Sequence, residues 1–192
     1  MVAGSRAPGR IVSAGLIAVG LLAGLTGAQA QSEAASPPAA FQNALDAFDQ
    51  AWTASGLAFT RVTFTNGPST GYGQYTPRGE AVFTGEDPLS VYAEPVGYGF
   101  RETGTGYAYE LTASFRLLTP ADQVLAEQDN FATFSGSGRT RQRELSAALS
   151  FEFSGLPAGA YRIETRFKDE IGGTQSAFTL PFTVTGAATD AN

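Results

Sequence analysis

The segment that most constrains this chain is Leu156-Pro157-Ala158-Gly159-Ala160-Tyr161, which runs directly into Arg162-Ile163-Glu164-Thr165-Arg166-Phe167-Lys168. Pro and Gly build a turn, and the turn feeds a strand whose residues alternate between apolar and polar. A tyrosine placed this way looks like a tyrosine corner. Its hydroxyl then bonds back to backbone a few residues upstream and locks the turn to one of two packed sheets. The chain is therefore expected to be a β-protein in which each strand buries one face.

The same rhythm extends through most of the chain. Leu57 to Phe64 reads as a first strand, ended by Asn66-Gly67-Pro68, and Ala81 to Phe83 as a short one. Leu89, Val91 and Ala93 alternate with Ser90, Tyr92 and Glu94. Pro95 is expected to stop that strand or to place it at a sheet edge. Tyr107, Tyr109, Leu111, Ala113, Phe115 and Leu117 form a long alternating face, closed by Pro120. Val124 to Phe134 makes a less regular strand. Leu145 to Phe153, Tyr161 to Phe167 and Phe178 to Val184 complete the set. Turn signals separate them and no long βαβ rhythm occurs, which predicts an antiparallel Greek-key β-sandwich of seven or eight strands. The face carrying Arg162, Glu164, Arg166 and Lys168 reads as solvated outer sheet.

One segment has a different period. Ser36-Pro37-Pro38 predicts a helix start, with Ser36 as cap and proline in the first turn. Phe41, Leu45, Phe48 and Trp52 follow at spacings of 4, 3 and 4, which is one helical face. Asp46, Asp49 and Gln50 lie away from it, and Gly56 is a candidate C-cap. The result is one short N-terminal amphipathic helix over about 38–55. Its apolar face either docks on the sandwich or is offered to a partner. Membrane-surface binding is disfavoured, because the helix carries acids and no Lys or Arg.

The N-terminus has the pattern of a targeting segment. Arg6 and Arg10 precede an uncharged, mostly apolar run from Ile11 to Leu25, and Ala28-Gln29-Ala30 is a small-x-small cleavage site. The run is shorter than the ~20 residues a membrane span needs. No Cys follows it, so no lipid anchor is expected. Cleavage after Ala30 would release the protein to the periplasm or exterior. The alternative is an uncleaved signal anchor. Residues 1–30 are thus expected to be a signal peptide, 31–56 a leader and helix, 57–185 the β-sandwich and 186–192 a disordered tail. The leader takes two arginines and no acid with it. Residues 31–192 then hold 10 basic and 18 acidic residues, a net charge of −8. So acidic a domain is a poor nucleic-acid binder.

Absences narrow the chemistry further. The chain has no Cys and no His. It forms no disulfide and lacks the commonest general base and zinc ligand. Gly67-Pro68-Ser69-Thr70-Gly71 matches the spacing of a nucleophile elbow, but an elbow needs a strand-to-helix turn and a His base. Glu80, Glu86, Asp87 and Glu94 cluster around one strand. Two of them facing one sugar would serve a glycosidase. Glu86-Asp87-Pro88 reads more simply as a turn. A calcium site from Glu86, Asp87 and Asp169 lacks regular ligand spacing. No catalytic residue, metal or cofactor is assigned.

Two features suit binding. A Gly-Tyr pattern recurs at Gly71-Tyr72-Gly73-Gln74-Tyr75, Gly97-Tyr98-Gly99-Phe100 and Gly106-Tyr107-Ala108-Tyr109. The second and third copies flank one turn, so Tyr98, Phe100, Tyr107 and Tyr109 are candidate ligand or partner contacts. Gly beside Tyr lets another chain or a sugar approach closely. The alternative is ordinary cross-strand aromatic packing. Arg139, Arg141 and Arg143 follow the expected loop Ser135 to Gly138. At period two they share one side of a strand and are candidate contacts for an anionic partner, unless they pair with local acids.

Two stretches carry a family resemblance. One is Phe83-Thr84-Gly85-Glu86-Asp87-Pro88-Leu89-Ser90-Val91-Tyr92-Ala93-Glu94-Pro95-Val96-Gly97-Tyr98. The other is Leu156 to Asp169, continuing into Phe178-Thr179-Leu180-Pro181-Phe182-Thr183-Val184. Over about 57–185 the chain resembles bacterial secreted single-domain proteins with fibronectin-III or immunoglobulin-like sandwiches. The resemblance implies a fold and a compartment and brings no activity with it. The chain departs from immunoglobulin domains in having no Cys pair and no core Trp, since Trp52 falls in the helix. The expected function is a non-enzymatic binding or structural module of the cell envelope, its partner an envelope protein or a glycan. The alternatives are a carbohydrate-binding module or carboxylate-dependent glycosidase, or a subunit of an envelope assembly recognised through the helix face around Phe48 and Trp52. Oligomeric state stays open.

Overall fold

The computed structural model describes residues 36–85 and 87–186. The expected signal peptide with its expected cleavage after Ala30, Glu86 and the expected tail beyond Gly186 lie outside the described residues. Among the described residues one helix, α1 (Ala39–Ser55), is followed by nine strands. They are β1 (Ala58–Thr65), β2 (Val82–Thr84), β3 (Leu89–Val96), β4 (Arg101–Thr103), β5 (Gly106–Leu118), β6 (Val124–Gly138), β7 (Ala147–Phe151), β8 (Gly159–Asp169) and β9 (Gln175–Thr185).

The strands form two sheets. The smaller has the order β1-β3-β7, and the larger β2-β9-β8-β5, with β6 on the far edge of β5 and β4 end to end with β8 along the near edge. Phenylalanines join the two inner faces. Phe59 of β1 meets Phe167 and Phe178 at 5.2 and 5.1 Å, Phe64 meets Phe83 at 5.1 Å, and Phe151 of β7 meets Phe115 at 5.2 Å. These pairs are edge-on, the arrangement that aromatic quadrupoles favour. The molecule is mostly β, with one helix and two facing sheets, consistent with a sandwich. Among the described residues the one departure from antiparallel pairing is the three-residue contact of β2 with β9, which is parallel.

The corner forms as its residues suggest. Tyr161 is buried, and its hydroxyl donates to the Pro157 carbonyl at 2.8 Å. Below it Ile163, Thr165 and Phe167 point inward, while Arg166 and Lys168 face solvent. In β1 the apolar residues change parity, from Phe59 to Val62 and Phe64. A bulge between Phe59 and Arg61 absorbs one residue, so both groups reach the core.

Four local expectations are corrected. The helix begins at Ala39 with Pro38 as its cap and no side-chain cap bond, so Ser36 does not cap it. A residue before proline is pushed out of the helical region, so Pro37 cannot belong to the first turn. Pro95 neither stops β3 nor places it at an edge: β3 is the central strand of its sheet and runs on to Val96. Pairing with β7 ends at Ala93, so no neighbour on that side asks Pro95 for its missing N–H. Ser135 to Gly138 is not a loop but the end of β6, paired with Tyr107 to Glu110. The ring of Tyr109 lies across Gly136, where any Cβ would collide with it. Finally, Arg139, Arg141 and Arg143 do not share a strand, because the chain from 139 to 146 is irregular.

Candidate functional site

The three Gly-Tyr copies turn out to do different work. The first covers the outer face of the smaller sheet. Tyr75 stacks on Tyr92 with ring centroids 4.0 Å apart, and the Gly73 N–H donates to the Tyr92 hydroxyl at 2.6 Å. That hydroxyl in turn donates to Glu94 at 2.7 Å. The other oxygen of Glu94 accepts from Thr60 at 2.9 Å. Glu94, a candidate acid from its sequence position, is thus tied into a structural network. Burial, seconded by this carboxylate, pushes the Tyr92 phenol up to about 12.

The second copy forms the floor of the α1 end. Tyr98 is 1% exposed, so it is a core residue and cannot be the ligand contact its sequence position suggested. Its hydroxyl donates to the Gln142 carbonyl at 2.6 Å, and its own carbonyl accepts the indole N–H of Trp52 at 2.9 Å. Tyr98 also packs on Trp52, Phe100 and Tyr109 at 5.2, 5.3 and 5.4 Å. Burial raises the phenol pKa of both Tyr98 and Tyr109. The closely approaching chain that the glycines admit is the protein's own. Gly97 has φ +73°, and the α1 terminus at Gly56 fills the space a Cβ would need. The Gly99 N–H donates to Asp169 at 2.7 Å.

Asp169 is a second organiser that patterning did not reveal. It is 1% exposed. Besides Gly99, its carboxylate accepts from the N–H groups of Ile171 and Gly172 at 3.0 and 2.9 Å. It therefore pins the β8–β9 turn against the Gly97–Phe100 segment. Asp87 likewise caps a turn, accepting from the Thr84 N–H at 2.9 Å. Among the described residues no three acids gather as metal ligands would.

Above this floor lie the arginines. Arg143 and Arg141 both reach Asp49 of α1, at 2.6 and 3.2 Å. Arg143 lies over the rings of Phe48 and Trp52, at 4.9 and 5.3 Å. Arg141 lies over the ring of Tyr107, at 4.4 Å. Tyr107 and Arg141 thus form a stacked pair outside the Tyr98 cluster. Arg139 is exposed on the same segment. A cleft of about 380 Å³ opens between the end of α1, Phe100, Arg141 and the β8–β9 turn. A second hollow of about 670 Å³ lies beside Phe48, Tyr72 and Arg143. Both offer aromatic faces and guanidinium donors, a chemistry for holding planar or anionic groups.

The helix itself is attached at one end only. Trp52 is its sole buried residue, and Asp49 is partly covered. Phe41, Leu45 and Phe48 remain 54%, 45% and 49% exposed. Of the expected four-residue face only Trp52 enters the core, and Phe48 is covered in part by Arg143. Trp52 enters the core from outside the strands, which supplies the tryptophan the strands lack. Asp49, read from the sequence as lying away from the apolar face, instead turns its carboxylate to Arg141 and Arg143 of the distant 139–146 segment. No helix among the described residues is long and apolar enough to cross a membrane.

Compared with known proteins, the chain matches no family model, and no curated protein matches it.

Proposed function

We propose that this protein is a non-enzymatic binding or structural module of the cell envelope, engaging its partner through the α1 end. The observation that carries this reading is the stripe of Phe41, Leu45 and Phe48, which stays roughly half exposed on a helix held only through its last turns. A helix of this length is marginal in water without packing. Contiguous apolar side chains left in solvent mark a contact site. The adjoining arginines and the two hollows extend that surface with polar and aromatic groups.

Several further readings belong to this proposal. The order β1-β3-β7 opposite β2-β9-β8-β5-β6, with a tyrosine corner opening β8, supports a Greek-key sandwich similar to immunoglobulin and fibronectin-III domains. The basic, apolar and Ala-x-Ala pattern of residues 1–30 supports export to the periplasm or exterior. In such a setting a chain without cysteine is held by packing alone.

The test is affinity capture from envelope extract on the immobilised protein, beside a Phe41→Ser/Phe48→Ser variant. The protein and glycan fractions are both identified. A protein bound by the wild type and lost by the variant supports the reading. A bound protein retained in full by the variant moves the contact surface away from α1. A glycan in place of a protein puts the carbohydrate-binding reading first.

A further inference from the structure

The far edge of β6 is open over its second half. Among the described residues β6 pairs only with β5, and no backbone group outside β5 bonds residues 131–138. The other edges are short or covered. β2, β4 and β7 have three, three and five residues. Along the far edge of β1, the Asn66 N–H donates to Thr76 and the Arg78 N–H to Phe64, both at 2.9 Å. The first half of β6 is protected as well. Asn130 has φ +49° in a bulge opposite Ser114, and Glu127 and Asp129 stand beside it. Bulges and edge charges keep a monomer's strand from pairing with another chain. Residues 131–138, Phe-Ala-Thr-Phe-Ser-Gly-Ser-Gly, have no charge and no proline. Their outward N–H and C=O groups are a template for one more strand.

The segment is complementary to itself. Thr133, Ser135 and Ser137 are exposed on the outer face, while Phe134 packs on the core and Gly136 lies under Tyr109. Set two copies antiparallel with Ser135 on a two-fold axis. Thr133 of each then stands opposite Ser137 of the other, and the two Ser135 face each other. Such hydroxyl pairs favour adjacent strands. On the inner face Phe134 meets Gly136 of the second copy, and Ala132 meets Gly138, so each larger side chain faces a position that has none. Charge fixes the direction. Beside the bulge, Glu127, Asp129 and Glu164 gather with Arg116 and Arg166. Both arginines bond Glu164, so Glu127 and Asp129 leave that end acidic. At the other end Arg139 is exposed. The neighbouring strands add one group of each sign to that face, Glu110 and Arg101, so Arg139 leaves this end basic. Antiparallel pairing brings Arg139 of each copy beside Asp129 of the other. Parallel pairing in register would set like charges together at both ends.

We infer that β6 pairs with β6 of a second copy, antiparallel about Ser135, joining the two larger sheets edge to edge. This goes beyond the role given to the α1 end and does not depend on it. The contact is isologous and fills both open edges, so it closes at a dimer.

The chain has no cysteine, which allows a direct test on protein expressed from the full chain. A Ser135→Cys variant is treated with a short bismaleimide, beside Ser154→Cys, an exposed position outside β6. Sedimentation velocity follows mass against concentration for the wild type and for Ser135→Lys. Amide hydrogen exchange is read over residues 131–138. The expected result is rapid linking of Ser135→Cys into a dimer and little linking of Ser154→Cys. Exchange in the segment should slow as concentration rises, and Ser135→Lys should raise the dissociation constant at least about tenfold. Ser135 is exposed, so Ser135→Lys is expected to keep the thermal midpoint of the dilute wild type. Equal linking of the two cysteine variants, a dimer indifferent to Ser135→Lys, or a dimer without slowed exchange in the segment overturns the pairing. A dimer lost in Phe41→Ser/Phe48→Ser and kept in Ser135→Lys overturns it in favour of α1. A wild type that stays monomeric also overturns it. If that monomer captures an envelope protein and Ser135→Lys loses it, the edge takes another protein's strand instead.

Discussion

Two buried hydroxyls, on Tyr98 and Thr165, are handled in opposite ways. Tyr98 donates to the Gln142 carbonyl, so its burial carries little polar penalty. Thr165 sits on the inner face of β8 with 0% exposure, and its hydroxyl oxygen has no partner. A buried polar group left unbonded costs roughly 1–3 kcal/mol, whereas an apolar side chain of the same shape avoids that cost. Thr165→Val is therefore expected to stabilise the protein by about 1 kcal/mol, raising the thermal midpoint by about 2–4 °C. A lowered midpoint in calorimetry would refute this. Burial of the residue at position 165 was legible from the alternation in β8, because side chains in a strand point to opposite faces in turn. The missing partner was not, because it depends on what the opposite sheet brings to that point.

At the scale of elements, α1 shows how one backbone position couples two distant segments. Gly97 combines a positive φ with direct packing against the backbone at Gly56. A Cβ there would strain the turn and push the end of α1 away from the Tyr98 floor. Gly97→Ala is expected to cost at least ~2 kcal/mol from backbone strain and overpacking together. Trp52 is the only tryptophan, so its emission should shift to the red as it leaves the site. An unchanged emission and midpoint would show that the Gly97–Gly56 contact is dispensable. The strands were readable because alternation is a local signal. Pro95 misled because its effect depends on whether a neighbour needs its N–H, and β7 stops short of it. Tyr98 as a contact residue misled for a related reason. Tyr98 does lie near Phe100 and Tyr109, but Trp52 of a sequence-distant helix covers it.

For the molecule as a whole, the buried tyrosines set a limit on alkaline stability. The Tyr92 phenol is raised to about 12, chiefly by burial, and Tyr98 is raised as well. Unfolding returns such groups to about 10, so above that pH the unfolded chain releases protons that the folded chain keeps. Stability is thus full below about pH 10 and falls as pH rises toward 12. Denaturant titrations across this range should show the decline, and tyrosinate absorbance from these residues should appear with unfolding. A stability flat to pH 12 would contradict the burial of both rings.

Residue order alone is enough to give the class of object: a mostly β chain with one amphipathic helix, no cysteine or histidine chemistry and an acidic charge. Composition and short-range periodicity are properties of the chain alone, so no tertiary information was needed to read them. Which apolar groups stay in water is settled by the packing of the folded chain. Tyr98 is buried, Phe41, Leu45 and Phe48 are left out, and Arg141 and Arg143 are drawn to Asp49 from more than ninety residues away. Exposure is set by what packs over a side chain, and here that cover comes from segments far apart in sequence.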